Sequence, residues 1–159
     1  MVRDVRLNRR RFMVFVAALG AIGVLGAPAA LAASEQQAKD MVAKAIALYD
    51  EKGDDALAIF NQGAASGFLD GELYIVVQST GEGAKVIADA AKPDLVGTPL
   101  TEIIDVTGKH FGEEMNKGAT EAGGWFDYQW PNPATGKVQH KKAWTVLHKG
   151  KVFITGIYD

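Results

Sequence analysis

The stretch Gly124-Trp125-Phe126-Asp127-Tyr128-Gln129-Trp130 decides which fold the sequence predicts, because its aromatic residues are typical of a β-strand. Two further strand-like runs follow, at 138–147 and 151–158. The segments between the runs, Pro-Asn-Pro-Ala-Thr-Gly at 131–136 and His-Lys-Gly-Lys at 148–151, have the composition of turns. We therefore predict that the three runs form an antiparallel meander.

The chain before the meander begins with a helical pattern. Apolar residues recur at helical spacing between Ala38 and Tyr49, and this predicts an amphipathic helix of about 16 residues. Ser34 is the expected N-cap, and Gly53 is the expected stop. A second, shorter helix is predicted over about residues 55–62.

Two short strands, and a loop-and-helix segment at residues 92–120 that we call the excursion, connect these helices to the meander. The β-branched run 73–78 and the run 85–89 flank a turn and predict a hairpin. Segment 92–105 lacks a sustained period and predicts a loop, whereas 109–120 predicts a helix. The sum is an α+β fold in which a long N-terminal helix packs on a five-stranded antiparallel sheet.

The first 32 residues predict an export signal peptide. Cationic residues precede an uncharged segment from residue 12 to residue 33, and Ala30 and Ala32 occupy the −3 and −1 positions of a signal peptidase site. Arg9 and Arg10, followed by Phe12, also resemble a twin-arginine signal. The alternative is a retained N-terminal membrane anchor. We expect cleavage after Ala32, which leaves one periplasmic domain at residues 33–159.

The charge of residues 33–159 restricts the partners. This segment holds 12 lysines, 18 acidic residues and no arginine, so its net charge is 12 − 18 = −6. The absence of a basic surplus argues against nucleic acid as a partner. An anionic ligand must be held by lysine, hydroxyl, indole N–H or backbone N–H groups. The chain has no cysteine, which excludes thiolate chemistry and cysteine-ligated metals, and we predict no cofactor.

Aromatic residues on one predicted strand form a candidate binding wall. Side chains alternate between the faces of a strand, so Phe126, Tyr128 and Trp130 share one face. Such a wall, with a phenol and an indole N–H, suits a small ligand that has an apolar part and a polar head. The alternative is that the same face is simply part of the core.

Lys141 is the candidate for charge recognition. If Lys141 points inward with Ala143 and Thr145, its ammonium group is available to pair with a ligand carboxylate, because an unpaired buried charge is costly. The alternatives are a pair with Asp127 on the neighbouring strand, or a side chain that extends to solvent. Tyr74 and Tyr158 are candidates for further hydroxyl contacts.

Several motifs in order carry a family resemblance. The run Gly124–Pro133, the segment Lys141-Lys142-Ala143-Trp144 and the closing Thr155-Gly156-Ile157-Tyr158 resemble the single Cache domain signature. In that family a Gly-Trp-x-x-Tyr-x-Trp-Pro-x-Pro strand is followed by Lys-x-x-Tyr and Gly-x-Tyr. The segments 94–97 and 105–109 resemble the middle of the family pattern. Trp144 stands where tyrosine is common.

The resemblance implies a PAS-like extracytoplasmic sensor fold that binds small molecules such as organic acids or amines. The pocket it implies lies between the sheet and the excursion. The predicted ligand-binding residues are Tyr74, Phe126, Tyr128, Trp130, Lys141, Trp144 and Tyr158.

The preferred functional prediction is a non-enzymatic, exported binding protein or sensor. Because no output domain follows Tyr158, we expect the domain to act through a partner, such as a membrane receptor or a transporter. One alternative is a periplasmic enzyme that uses Asp127 or His110 as its acid or base. A second alternative is a purely structural module whose cavity is filled by side chains.

Overall fold

The computed structural model describes residues 32–159, and these have the predicted α+β architecture. The predicted signal residues Arg9, Arg10, Phe12 and Ala30 lie outside the described residues. The helices are α1 (Glu35–Lys52), α2 (Asp55–Phe60) and α3 (Phe111–Gly118). The strands are β1 (Leu69–Asp70), β2 (Leu73–Tyr74), β3 (Val76–Ser79), β4 (Val86–Asp89), β5 (Gly124–Pro131), β6 (Val138–His148) and β7 (Lys151–Tyr158).

Helix α1 begins and ends where the sequence predicts, although it has 18 residues rather than about 16. The Ser34 hydroxyl accepts a hydrogen bond from the backbone N–H of Gln37, and the Gln37 side chain accepts one from the N–H of Ser34. This capping box satisfies two N–H groups that have no partner within the helix. At the other end the N–H of Gly53 donates to the carbonyl of Tyr49, and Gly53 has φ +59°, a conformation that glycine adopts without strain.

The five-stranded antiparallel sheet is confirmed, with strand order β4-β3-β7-β6-β5. The last strand of the chain therefore lies in the middle, between β3 and β6. The run 73–78, predicted as one strand, is divided at Ile75. Its first part pairs with β1 in a separate two-stranded sheet, whereas its second part joins the large sheet.

The two faces of the large sheet have different neighbours. We call the face that carries Val77, Phe153 and Trp144 the helix face, because α1 packs against it. We call the opposite face the cavity face; it carries Tyr128, Lys141 and Ile154. The excursion between β4 and β5 covers the cavity face with two 3₁₀ turns, at Pro93–Leu95 and Leu100–Glu102, and with α3. Within residues 32–159, no helix combines the length and the apolar character needed to cross a membrane.

Candidate functional site

A small cavity lies between the cavity face and the excursion. Its volume is about 30 Å³. A water molecule needs on the order of 10–15 Å³ of such space, so the cavity has room for about two or three waters. The lining comprises Tyr74, Val76, Gln78, Val86, Asp89, Leu95, Ile103, Phe111, Met115, Tyr128, Trp130 and Ile154.

Aromatic rings form one wall of the cavity and pack tightly against each other. Tyr128 and Trp130 lie at the wall, and they share one face of β5, as strand alternation predicts. The ring of Phe111, the first residue of α3, stacks on Tyr128 with a centroid distance of 4.0 Å and meets Trp130 edge-on at 5.1 Å. The aromatic face is thus partly core, and the remaining space is small.

Lys141 is buried beside this wall, on the cavity face. The residue is 1% exposed, and its Nζ lies 3.8 Å from the centroid of the Tyr74 ring and 5.9 Å from that of Tyr128. Both tyrosines line the cavity. Among residues 32–159, no carboxylate pairs with Lys141 Nζ and no group accepts a hydrogen bond from it. Its contacts are with the faces of tyrosine rings, which attract a cation.

The structure removes the alternative in which Lys141 pairs with Asp127. Strand register places Asp127 opposite Lys142 and places Tyr128 opposite Lys141. Asp127 is exposed on the helix face, where it contacts His140 Nε2 at 3.2 Å. The two side chains therefore project from opposite faces of the sheet.

Burial shifts the pKa values of two oppositely charged residues at the site. Loss of hydration lowers the pKa of Lys141 and raises that of Asp89. The attraction between the two charges opposes both shifts, although no ion pair joins the side chains. The cavity region thus holds a buried base and a buried acid, each with an incomplete counter-charge.

Three tyrosine rings lie around Lys141, with centroids 3.8 Å (Tyr74), 5.9 Å (Tyr128) and 5.1 Å (Tyr158) from its Nζ. The Tyr158 hydroxyl donates to the carbonyl of Pro131 at 3.1 Å, and the hydroxyls of Tyr74 and Tyr158 are 3.2 Å apart. A hydroxyl has one proton, so Tyr74 is the donor between the two tyrosines. The hydroxyl of Tyr128 has no hydrogen-bond partner within the described part of the chain. Burial raises the pKa of Tyr74 and Tyr128, so both phenols stay neutral at physiological pH.

Asp89 is a cavity residue that the sequence analysis missed. It ends β4 and is 3% exposed, and its neighbours Val86 and Ala88 are also buried. The sequence feature that could have indicated Asp89 is its position as an acidic residue at the end of a short apolar strand. This pattern does not show whether the strand ends at the surface or at a cavity. Strand register places Asp89 on the cavity face, opposite Val76.

Two other predicted residues lie elsewhere. Trp144 projects from the helix face, because it alternates with Lys141 and Ala143 along β6; its ring packs on Trp125 at 5.2 Å, with Lys39 Nζ 4.7 Å from its centroid. Trp144, predicted as a ligand-binding residue, therefore does not line this cavity. Phe126 lies on the cavity face but packs against Gly118 at the end of α3, away from the cavity lining.

Five of the predicted site residues lie at or beside the cavity: Tyr74, Tyr128, Trp130, Lys141 and Tyr158. Tyr74, Tyr128 and Trp130 line the cavity, whereas Lys141 and Tyr158 do not line it but contact the Tyr74 side chain. His110 and Asp127, the acid or base candidates of the enzyme alternative, are both exposed and neither lines the cavity.

A comparison with protein families assigns this chain to a family. The profile of the family described as "Single Cache domain 2" matches residues 29–158, which is most of the chain. No curated protein sequence matches this chain at a significant level.

Solved structures with the same fold include three chemosensory domains. A methyl-accepting chemotaxis protein from Vibrio parahaemolyticus is 19% identical with a TM-score of 0.61, covering 77% of this chain and 84% of its own. The periplasmic sensor domain of a chemotaxis protein is 22% identical with a TM-score of 0.54, covering 77% and 88%. A Cache chemosensory domain solved for carboxylic acid recognition is 20% identical with a TM-score of 0.54, covering 77% and 86%.

Proposed function

Because this chain belongs to the single Cache domain family, whose members are extracytoplasmic sensor domains, we propose that it is a non-enzymatic domain that binds a small carboxylic acid. The ligand occupies the cavity between the sheet and the excursion. The carboxylate of the ligand is directed towards Lys141, and the rings of Tyr128 and Trp130 hold its apolar part.

The observation that carries this proposal is the buried, unpaired ammonium group of Lys141. A buried charge without a counter-ion is destabilising by several kcal/mol unless another group compensates it. The tyrosine rings compensate in part. A ligand carboxylate at the end of the cavity beside Tyr74 and Tyr128 would supply the missing counter-charge, and the Tyr128 hydroxyl is free to donate to it. A solved Cache domain described by its carboxylic acid recognition supports the same ligand class.

The size of the cavity restricts the ligand to short acids. The cavity has room for only about two or three water molecules, so it favours acids of two or three carbons, and even acetate, with four heavy atoms, requires a small shift of the lining side chains. Longer acids would have to displace the ring of Phe111, which is stacked on Tyr128.

A ligand screen on the purified full-length protein tests the proposal. We expect acids of two or three carbons to raise the melting temperature and acids of six or more carbons to have little effect, since a ligand that binds only the folded state stabilises it. A complete series of short carboxylates that never shifts the melting temperature would favour the purely structural module.

Replacing Lys141 by Met tests the residue itself. The change removes the ammonium group but keeps an apolar chain of similar length, so we expect the domain to fold while its affinity for acetate falls on the order of 10- to 100-fold. The matched control is Lys142→Met, because Lys142 projects from the helix face and pairs with Glu35. Loss of folding in Lys141→Met, with normal affinity in the folded fraction, would make Lys141 a structural residue.

Export to the periplasm is part of the same proposal, because a Cache sensor works outside the cytoplasm. If residues 1–32 form a twin-arginine signal, replacing Arg9 and Arg10 by Lys should stop translocation of the full chain, measured by cell fractionation. Unchanged translocation would point to the general secretory route. The predicted partner remains a membrane receptor or a transporter that binds the ligand-bound form of the domain.

A further inference from the structure

Asp89 presents a free carboxylate oxygen at the cavity. Its Oδ1 accepts hydrogen bonds from the backbone N–H groups of Ala91, at 2.9 Å, and Lys92, at 2.8 Å. Its Oδ2 accepts none from any residue in the range 32–159. The side chain is 3% exposed, and Asp89 is the only aspartate or glutamate that lines the cavity among the described residues.

The free oxygen borders accessible space. Among the described residues, every fully enclosed side-chain nitrogen or oxygen has a hydrogen-bond partner. Oδ2 has no partner and is therefore not fully enclosed, and the cavity is the space that Asp89 lines. A carboxylate oxygen kept at the wall of a small, largely aromatic cavity is costly unless something in the cavity donates to it.

The charges around the cavity become unbalanced when a simple acid binds. In the free protein, both Lys141 and Lys92 attract Asp89, and neither forms an ion pair with it. A ligand carboxylate that pairs with Lys141 takes away one of the two counter-charges of Asp89 and places a second acid near it. A ligand that also carries an ammonium group neutralises both side chains, because each charge of the ligand then faces its opposite.

The remaining lining is compatible with a cation near Asp89. The rings of Tyr74, Tyr128, Trp130 and Phe111 all line the cavity, and aromatic faces attract ammonium groups. The molecule already uses this attraction at Trp130, where Lys92 Nζ lies 4.8 Å from the ring centroid.

We infer that Asp89 is a second ligand-binding residue and that the cavity takes a small zwitterionic amino acid, with its ammonium group on Asp89 Oδ2 and its carboxylate towards Lys141. The inference rests on the proposed function and narrows its ligand class. Glycine, with five heavy atoms, is the smallest amino acid, and alanine has six; both bind only if the side chains that line the cavity shift outward.

Matched pairs of ligands test the inference by isothermal titration calorimetry on the full-length protein at pH 7. Glycine is acetate with an added ammonium group, and alanine relates to propionate in the same way. We expect glycine to bind at least about tenfold more tightly than acetate, since a hydrogen bond to a buried charge contributes that much. Glycolate, which adds a hydroxyl to acetate, should lie between the two.

The variant Asp89→Asn should reverse this order. Its amide oxygen still accepts from the N–H groups of Ala91 and Lys92, so the strand end is preserved. We expect glycine affinity to fall on the order of 10- to 100-fold and acetate affinity to stay equal or improve. The control Asp94→Asn changes an exposed residue of the excursion and should leave both affinities unchanged.

The outcomes separate this inference from the proposed function. Acetate binding as tightly as glycine to the wild-type protein would overturn the role of Asp89 and leave the carboxylate site intact. Glycolate binding as tightly as glycine would assign Asp89 to a hydroxyl and overturn the amino acid assignment. Failure of all these acids to bind would remove the proposed function itself. If Asp89→Asn does not fold, as judged by circular dichroism, the wild-type ligand series alone decides.

Discussion

The two faces of the central sheet are built from the same strands but differ in where their charged groups lie and whether these form ion pairs. On the helix face, Val42 and Tyr49 of α1 pack on Phe153, and the charged groups lie at the rim in ion pairs, such as Asp50 with His148 at 2.8 Å. On the cavity face, Lys141 and Asp89 are buried without an ion pair.

This difference indicates that the helix face mainly stabilises the fold, whereas the cavity face is suited to binding a ligand. The helix face is closely packed around α1, and buried apolar area is the main favourable term in folding. The cavity face gives up part of that packing and keeps polar atoms that the protein itself does not satisfy. In natural proteins such groups are rare, and they concentrate where a ligand completes them.

The largest expected effect comes from breaking the helix face. Phe153 is fully buried and meets Tyr49 edge-on at 5.5 Å, so Phe153→Ala should lower the free energy of unfolding by about 3–5 kcal/mol, measured by urea denaturation. The matched change on the other face is Phe111→Ala. We expect it to be less destabilising, because Phe111 already borders a void. Equal losses for the two variants would contradict the distinction between the faces.

The second-largest expected effect is the pH dependence of acetate binding on the cavity face. Burial lowers the pKa of Lys141 to about 7, so at higher pH the free protein holds a neutral amine and must take up a proton to bind a carboxylate. The Kd for acetate should rise by up to about tenfold per pH unit between pH 7 and 9, measured by calorimetry. Lys141→Met should show no such slope, and a flat profile in the wild-type protein would contradict the role of Lys141.

Stability of the free protein should change with pH in the opposite sense. The folded pKa of Lys141 is below its ordinary value of 10.5, so the unfolded chain binds more protons between about pH 7 and 10.5. The contribution of Lys141 to the free energy of unfolding therefore rises with pH in this window. The difference between the wild-type and Lys141→Met proteins isolates this contribution from the other titrating groups.

The smallest expected effect compares two phenols of the cavity face. Tyr158→Phe removes a hydroxyl that donates to Pro131 and accepts from Tyr74, so it should lower the free energy of unfolding by about 1 kcal/mol. Tyr128→Phe removes a hydroxyl without a partner in the described chain and should leave stability nearly unchanged while weakening acetate binding. A larger stability loss for Tyr128→Phe would show that its hydroxyl is already satisfied.

Much of the fold was predictable because local patterns decide it. The capping residue Ser34, the stop at Gly53 and the turn sequences of the meander fix element boundaries through short-range hydrogen bonds and glycine conformations. Strand alternation also placed Tyr128 with Trp130, and Lys141 with Ala143, on shared faces. The family match to residues 29–158 confirms the resemblance that the motifs indicated.

The composition of the cavity was less predictable. Strand alternation predicts that Trp144 and Lys141 project from opposite faces of β6, although both belong to the family motifs. Only the position of α1 shows that Trp144 lies on the helix face. Phe111 and Asp89 reach the cavity from an excursion helix and from the strand at the far edge of the sheet. Nothing in their local sequence indicates that they meet Tyr128.

The sequence by itself determined the long N-terminal helix, the strands, the turns and which side chains share a face of each strand, because these depend on residues a few positions apart. Only the tertiary structure decided that β7 lies between β3 and β6, and that Asp89 and Lys141 are buried beside one small cavity. Those features depend on contacts between residues about 50 positions or more apart in the chain, for which local spacing carries no signal.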